Sequence, residues 1–536
     1  MSDDVVTAAP ARASAGGRAV DVRLPNWVSI IFGATLLLLV LGVLGRPSVF
    51  PDTAPYLDSG QTFWETIVAP LHPAPPAKAA SPAVVERLHA GESLAISALA
   101  SRRPWYGVFA WPLERVGTLW LLVAVQSGLA AWLIWLSWRV LAPEAANWTA
   151  YAVQGVSAGF STLPFIAGFA MPDLFSSLMI IAVTLLLVGG ERLHRNERTG
   201  LVVITGFATM AHGANLLVAG AMIALAAMAA LRSAAARTTL LPPIYAVVCV
   251  LGLGLCANML FDLKINLIHH QPPGRPPFLA ARLLADGPGR IYLRQACAKA
   301  EPYLLCRHKA EPLDDSQAIL WSGNKADAVF SVSLPPDRMI LQRQEGRFVI
   351  GTVLNDPAGV AATAAANWVR QLGMVYTEAP LVDQRMYLGR PEDYPADPPR
   401  TNELYLPSWD ASYYRMSALP SAIERLGDCT RTEPACRPRL SIPAATRLQI
   451  SEFLAACVAL AVIAARMTRQ PRSGGGWLQA LGFITFAVVV NALICGALSG
   501  PFPRYQSAVA WLTIMMAAVG GSSLLANRSR LSGPTG

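Results

Sequence analysis

Charge is what this sequence most lacks. Only 14% of its 536 residues are Asp, Glu, Lys or Arg, while 53% are hydrophobic and mean hydropathy is +0.40. So little polar surface cannot cover a soluble globule of this size, which excludes an ordinary water-soluble enzyme or binding module. The start of the chain also lacks a short apolar region followed by a small-x-small cleavage site, because Arg46 and Pro47 close the first apolar run. That pattern predicts a retained anchor, not a signal peptide. No internal repeat is visible, and the spans carry almost no charge, which speaks against a transporter with ionisable residues inside several helices.

What is present instead is a series of long apolar runs. Residues 27–45, 117–139, 149–170, 174–190, 213–231, 242–262, 448–467, 477–498 and 506–525 can each cross a hydrocarbon core as helix, which needs about 20 residues. A shorter run, LVVITGFATMA at 201–211, reads as a bent or partial further crossing. The sequence therefore predicts a polytopic α-helical membrane protein with about 10 transmembrane helices.

The arginines give its orientation. Arg12, Arg18 and Arg23 precede the first run, and Arg192, Arg195 and Arg198 lie in GGERLHRNERTG. Arg232 and Arg237 follow in LRSAAARTT, then Arg466, Arg469 and Arg472 in ARMTRQPRSGGG, and Arg528 and Arg530 in the tail. With about ten crossings all of these fall on one face, which the positive-inside rule makes cytoplasmic. Both termini are then cytoplasmic, and segments 46–112 and 263–447 lie on the other side. The net charge of +9 is thus an orientation signal and implies no nucleic-acid partner. Arginine greatly outnumbers lysine and alanine is abundant, as in a GC-rich bacterial genome, so the expected location is the inner (plasma) membrane with the periplasm outside.

The chain divides accordingly. Residues 1–26, rich in Ala, Gly and Ser, read as a disordered cytoplasmic N-terminus, 27–262 as a transmembrane core, and 448–536 as three C-terminal helices with a short tail. Between them, 263–447 has the composition of a soluble domain. Its stretches ILWSGN, AVFSVSL and RFVIGTVL read as short strands, and NDPAGVAATAAANWVRQLG reads as a helix capped by Asn355 or Asp356 and stopped at Gly373. The expectation is an α+β extracytoplasmic domain inserted before the last three helices. Cys297, Cys306, Cys429 and Cys436 lie in it as two close pairs, which predicts two local disulfides in an oxidising compartment, although the spacing alone also permits cross-pairing or free thiols. No histidine shares the spacing a zinc site needs.

Chemistry-bearing residues are few. FPDTAPYLDSGQ, just after the first run, carries Asp52, Tyr56 and Asp58 near the headgroup level. A carboxylate there can reach a lipid phosphate and water, as a general base or a metal ligand; it also fits an ordinary turn after Pro51. Asp173 in MPDLF opens a later span and is equally suited to capping it. Arg102 and Arg103 in SRRPWYG, and Arg504 with Tyr505 in PFPRYQ, are outer-face cations with aromatic neighbours, suited to a phosphate or to snorkelling. His212 in ATMAHGANLL sits at a predicted outer turn.

The order of these features resembles the polyprenol-phosphate-sugar-dependent glycosyltransferases of the GT-C superfamily. The matching residues are Asp52 and Tyr56 in DTAPY, Arg103, Pro104 and Tyr106 in RRPWYG, Asp173 in MPDLF, and Arg504 and Tyr505 in PRYQ. The resemblance covers the first 260 residues or so and about the last 90, and rests on order and sidedness. It implies Asp52 as catalytic base or acceptor-positioning residue, Asp173 as a second site acid, and Arg103 and Arg504 as cations for the lipid phosphate. The implied partners are a polyprenyl-phosphate-linked sugar, membrane lipid and an extracytoplasmic acceptor. Met210, Ala211, His212 and Gly213 stand where such enzymes commonly have Arg-Pro or Lys-Pro, and the first loop has no paired acidic dipeptide. A divalent metal ion is the one cofactor left open. A non-catalytic scaffold or lipid-binding subunit in envelope polysaccharide assembly is the rival reading, ahead of a transporter.

Overall fold

A computed structural model describes residues 26–44, 47, 52–68, 103–269, 275–321, 328–377, 442–469 and 471–531. In chain order these form α1 (Asn26–Leu44), α2 (Thr53–Val68), α3 (Trp105–Leu141), α4 (Trp148–Gly159), α5 (Leu163–Ala167), α6 (Leu174–Val188), α7 (Arg195–Ala211), α8 (Gly213–Arg232) and α9 (Ala234–His269). Then follow α10 (Phe278–Asp286), α11 (Pro288–Ala298), α12 (Ser316–Trp321), α13 (Pro335–Asn355), α14 (Pro357–Leu372), α15 (Ile442–Arg469), α16 (Pro471–Ile494) and α17 (Pro503–Leu531). A π-helical turn, Cys495–Ser499, prolongs α16.

Among the described residues six helical segments are long and apolar enough to cross a membrane: Leu119–Leu141, Gly213–Arg232, Ala236–Leu267, Ala444–Arg469, Gly476–Ser499 and Pro503–Asn527. The chain is accordingly a multi-pass helical membrane protein. Trp27–Leu41 and Leu174–Val188 are shorter apolar helices. α6 lies at the centre, with every residue from Leu174 to Leu187 buried. A helix apolar all round has no face to give to water, and α6 packs against α3, α7, α8, α9, α16 and α17.

The run 149–170 does not form one helix. It breaks after Gly159, where the Ser161 hydroxyl accepts a bond from the Leu163 amide at 3.1 Å and Pro164 opens α5. Proline has no amide to continue the ladder, so the chain restarts at a new angle. By contrast 201–211 belongs to a continuous α7, whose start is fixed by Glu197 accepting from the His194 amide at 2.8 Å.

The expected strands are absent among the described residues, and the inserted segment is helical there. Residues 319–321 end α12, 328–334 form a turn, and 347–354 lie inside α13. The turn is held by Arg338, buried at 6% exposure, whose guanidinium donates to the carbonyls of Phe330 and Ser331 at 3.0 and 2.8 Å. Those carbonyls have found a partner outside any ladder, so the β-branched run has no reason to extend. In α13 the buried residues Arg338, Leu341, Phe348 and Thr352 recur at helical spacing and face a second core built from Ala280, Leu284, Leu293 and Leu305. Packing of that face overrides strand propensity. The helix of NDPAGVAATAAANWVRQLG is present as α14, with Asp356 as its cap, Oδ1 accepting from Gly359 N at 2.8 Å, and with Gly373 next after its end. Cys297 and Cys306 are disulfide-bonded, tying α11 to the following turn. Cys429 and Cys436 lie outside the described residues.

Candidate functional site

Of the outer loop expected over 46–112, residues 53–68 form α2 and 105–112 already belong to α3, while 69–102 lie outside the described residues. Asp52 begins α2, its carbonyl accepting from the Tyr56 amide at 3.1 Å. α2 crosses the start of α3, which begins at Trp105, well before 117. The crossing depends on two glycines: a Cβ on Gly107 would lie 1.9 Å from the Tyr56 carbonyl, and one on Gly60 would lie 2.2 Å from the Gly107 carbonyl carbon. Nothing larger than glycine lets these backbones touch.

That contact fixes Tyr56 and Tyr106. Tyr106 is fully buried, packs edge-on to Tyr56 at 5.4 Å, and its hydroxyl donates to Gln126 Oε1 at 3.0 Å. Gln126 Nε2 in turn donates to the Ala167 and Phe169 carbonyls, each at 2.9 Å. Thr53 donates to the Ala170 carbonyl at 3.0 Å. The backbone leading to Asp173 is thereby held against α2 and α3. Tyr56 and Tyr106 form the wall of this end of the bundle, while Asp58 is exposed on α2.

Asp52 and Arg504 meet here from opposite ends of the chain. Arg504 Nη1 donates to Asp52 Oδ2 at 3.1 Å, and the two side chains are 22% and 18% exposed. Arg504 Nη2 donates to the Tyr505 hydroxyl at 3.2 Å, and the guanidinium lies over the Tyr505 ring at 5.0 Å. Tyr505 is itself placed by Ser499, hydroxyl to hydroxyl at 3.1 Å, and by Asn491, which donates to its carbonyl at 3.0 Å. The His212 ring lies 6.2 Å from the Tyr505 ring, at the junction of α7 and α8. Asp173 is 4% exposed and acts electrostatically on Arg504, Cys495 and Tyr106. It makes no side-chain cap to α6, although it precedes that helix. Two acids, one arginine, a tyrosine and a histidine thus converge at one end of the bundle.

Arg103 belongs to a different group. Burial and the neighbouring Arg275 guanidinium pull it below the usual arginine value, opposed by Asp262. Arg275 Nη2 donates to both Asp262 carboxylate oxygens, at 2.6 and 2.8 Å, and Trp105 donates to Asn258 Oδ1 at 2.8 Å. Arg102 lies outside the described residues. Among the described residues no group of three His, Cys, Asp or Glu could hold a metal ion. No step below passes through a metal ion.

Gln126, Asn491 and Ser499 were not singled out from the sequence, yet they position the site. The signal was available: Gln126 in VAVQSGLA and Asn491 in VVVNALIC are lone polar residues in apolar spans, where an unpaired amide is costly. Their partners are backbone and side-chain atoms remote in sequence.

Fold and site together define a polytopic helical membrane protein with a half-buried acid and arginine pair at one end of its bundle. No family model, curated protein or solved structure matches the chain.

Proposed function

We propose that the chain is an inverting membrane glycosyltransferase of the GT-C kind, moving a sugar from a polyprenyl-phosphate donor to an acceptor glycan, lipid or protein. The observation that carries this reading is the contact between Asp52 and Arg504, 452 residues apart in sequence, with Asp173 within electrostatic range. These are the residues on which the family resemblance rests. The proposal includes about ten crossings, cytoplasmic termini and a site facing the periplasm.

The chemistry asks little of the protein. A sugar on polyprenyl phosphate has a good leaving group, so the enzyme must hold the acceptor hydroxyl for back-side attack, accept its proton and stabilise the departing phosphate. Asp52 is the base, oriented by the bond its Oδ2 accepts from Arg504. Arg504 is the cation beside that carboxylate for the departing phosphate, and Arg103 with Arg275 supplies a second cationic group for the lipid headgroup. Asp173 adds negative charge that keeps Arg504 in place.

One observation favours a second reading. Asp52 is engaged in an ion pair, as a structural residue would be, which fits a non-catalytic relative serving as scaffold or lipid-binding subunit. Sugar transfer from radiolabelled polyprenyl-phosphate donors, in membranes holding wild type or Asp52→Asn at matched abundance, separates the two. Loss of a base should lower transfer by roughly 10²- to 10⁴-fold. Equal transfer by both chains removes Asp52 from the chemistry, and no transfer by wild type favours the scaffold.

A further inference from the structure

α13 and α14 have the wrong polarity for a water-soluble domain. On α14 the exposed residues are Pro357, Ala358, Ala361, Ala362, Ala365, Ala366 and Val369, an apolar stripe at helical spacing that ends at the exposed Arg370. Arg370 aside, its larger polar side chains bond inward: Asn367 donates to Asp286, Trp368 to the Val489 carbonyl at 3.2 Å, and Gln371 to the Phe502 carbonyl at 2.9 Å. A helix in water shows the opposite arrangement, while one in lipid hides its polar groups and presents apolar ones. α13 changes character along its length. Arg343 and Arg347 are exposed in its middle, then Ile350, Val353 and Leu354 at 61%, 38% and 77%. Between Ile350 and Val369 only Asn355, beside the bend, is both polar and exposed.

Depth follows from the neighbour. α14 packs against both the π turn and α16. Val489 lies ten residues before the end of the apolar segment Gly476–Ser499, on the order of 15 Å along the helix axis. At Gly496 a Cβ would come within 2.7 Å of the Asn367 carbonyl, so the two helices are in backbone contact there. A helix lying along a membrane span and bonded to its middle lies in the membrane too.

We infer that Ile350–Val369 is a wedge seated in the acyl region of the bilayer, its exposed faces covered by lipid chains, with Arg347 and Arg370 marking its two exits. The 103° bend between Pro336–Asn355 and Pro357–Leu372 makes it re-entrant and not a further span. At the bend Asp356 caps α14, so the break leaves that amide paired. The wedge is fastened to the site through Gln371, whose side chain both donates to the Phe502 carbonyl and accepts from its amide at 2.8 Å, two residues from Arg504. The inference holds whatever reaction the chain performs.

Wild-type protein in nanodiscs of phosphatidylethanolamine and phosphatidylglycerol, doped with a phospholipid bearing a diazirine midway along its acyl chain, tests it. Adduct mapping should find label in 350–369 at a density within about threefold of that at the exposed α9 residues Leu253, Met259 and Leu260, and at least tenfold above that in 288–312. Label on α9 with none in 350–369 overturns it. Ala362→Arg and Ala362→Val give a second reading. The arginine should lower recovery of monodisperse protein at least tenfold and the valine should not; equal recovery of both also overturns the wedge.

Discussion

Replacing Arg504 should cost more than replacing its partner. Arg504 donates to Asp52 at 3.1 Å with the two side chains about one fifth exposed, so the pair is mostly withdrawn from water. At about 4 Å between charges, attraction is about 1 kcal/mol in bulk water and about 4 kcal/mol at an effective dielectric near 20. Exposed pairs contribute about 0–1 kcal/mol, and breaking a buried one costs about 3–5 kcal/mol. A pair of intermediate burial should show a coupling of about 1–2 kcal/mol in a cycle of Asp52→Asn, Arg504→Gln and the double variant. The singles should differ. Asp52→Asn leaves Arg504 facing Asp173, still an opposite charge. Arg504→Gln removes the cation on which both Asp52 and Asp173 act, and should lose about 1 kcal/mol more. Equilibrium unfolding of reconstituted protein by steric trapping measures all four chains. Additive singles, with a coupling below about 0.3 kcal/mol, would show that the contact contributes nothing. A larger loss from Asp52→Asn than from Arg504→Gln would refute the role given to Asp173.

Other outcomes follow from the same contacts. Gly107→Ala places a methyl 1.9 Å from the Tyr56 carbonyl, so α2 and α3 must part; size-exclusion profiles should show loss of folded protein, while Gly128→Ala, with nothing within 4 Å, should behave as wild type. Gln371→Ala removes both bonds to Phe502, which should cost about 2–3 kcal/mol and speed amide exchange in 499–505 with little change in α6. Cys297→Ser with Cys306→Ser opens a loop of sequence separation 9 and should destabilise the unit of α10–α13 by about 2–3 kcal/mol, read by proteolysis confined to 278–348.

Much of the architecture is written in the chain itself. Apolar runs set helices because a backbone in lipid must satisfy its own hydrogen bonds, and α1, α3, α8, α9, α15, α16 and α17 coincide with such runs. Asp356 and Pro357 start α14 as their chemistry requires, and the Cys297 and Cys306 bond is one of the pairings the spacing allowed. The break at Gly159 and Pro164 was also written, but the apolar composition around it masked it.

Tertiary structure decided the rest. RFVIGTVL has strand propensity, yet it is helix because Phe348 and Thr352 must face one core. Propensity is worth tenths of a kcal/mol per residue, and burial of one aromatic side chain is worth about 2 kcal/mol. The inserted segment reads as soluble in composition, since composition counts residues and cannot say that Asn367, Trp368 and Gln371 of α14 bond inward. Above all, Asp52 and Arg504 are each ambiguous as isolated letters. What makes them a site is their 3.1 Å contact across 452 residues, and a contact of that range exists only once the whole bundle has packed.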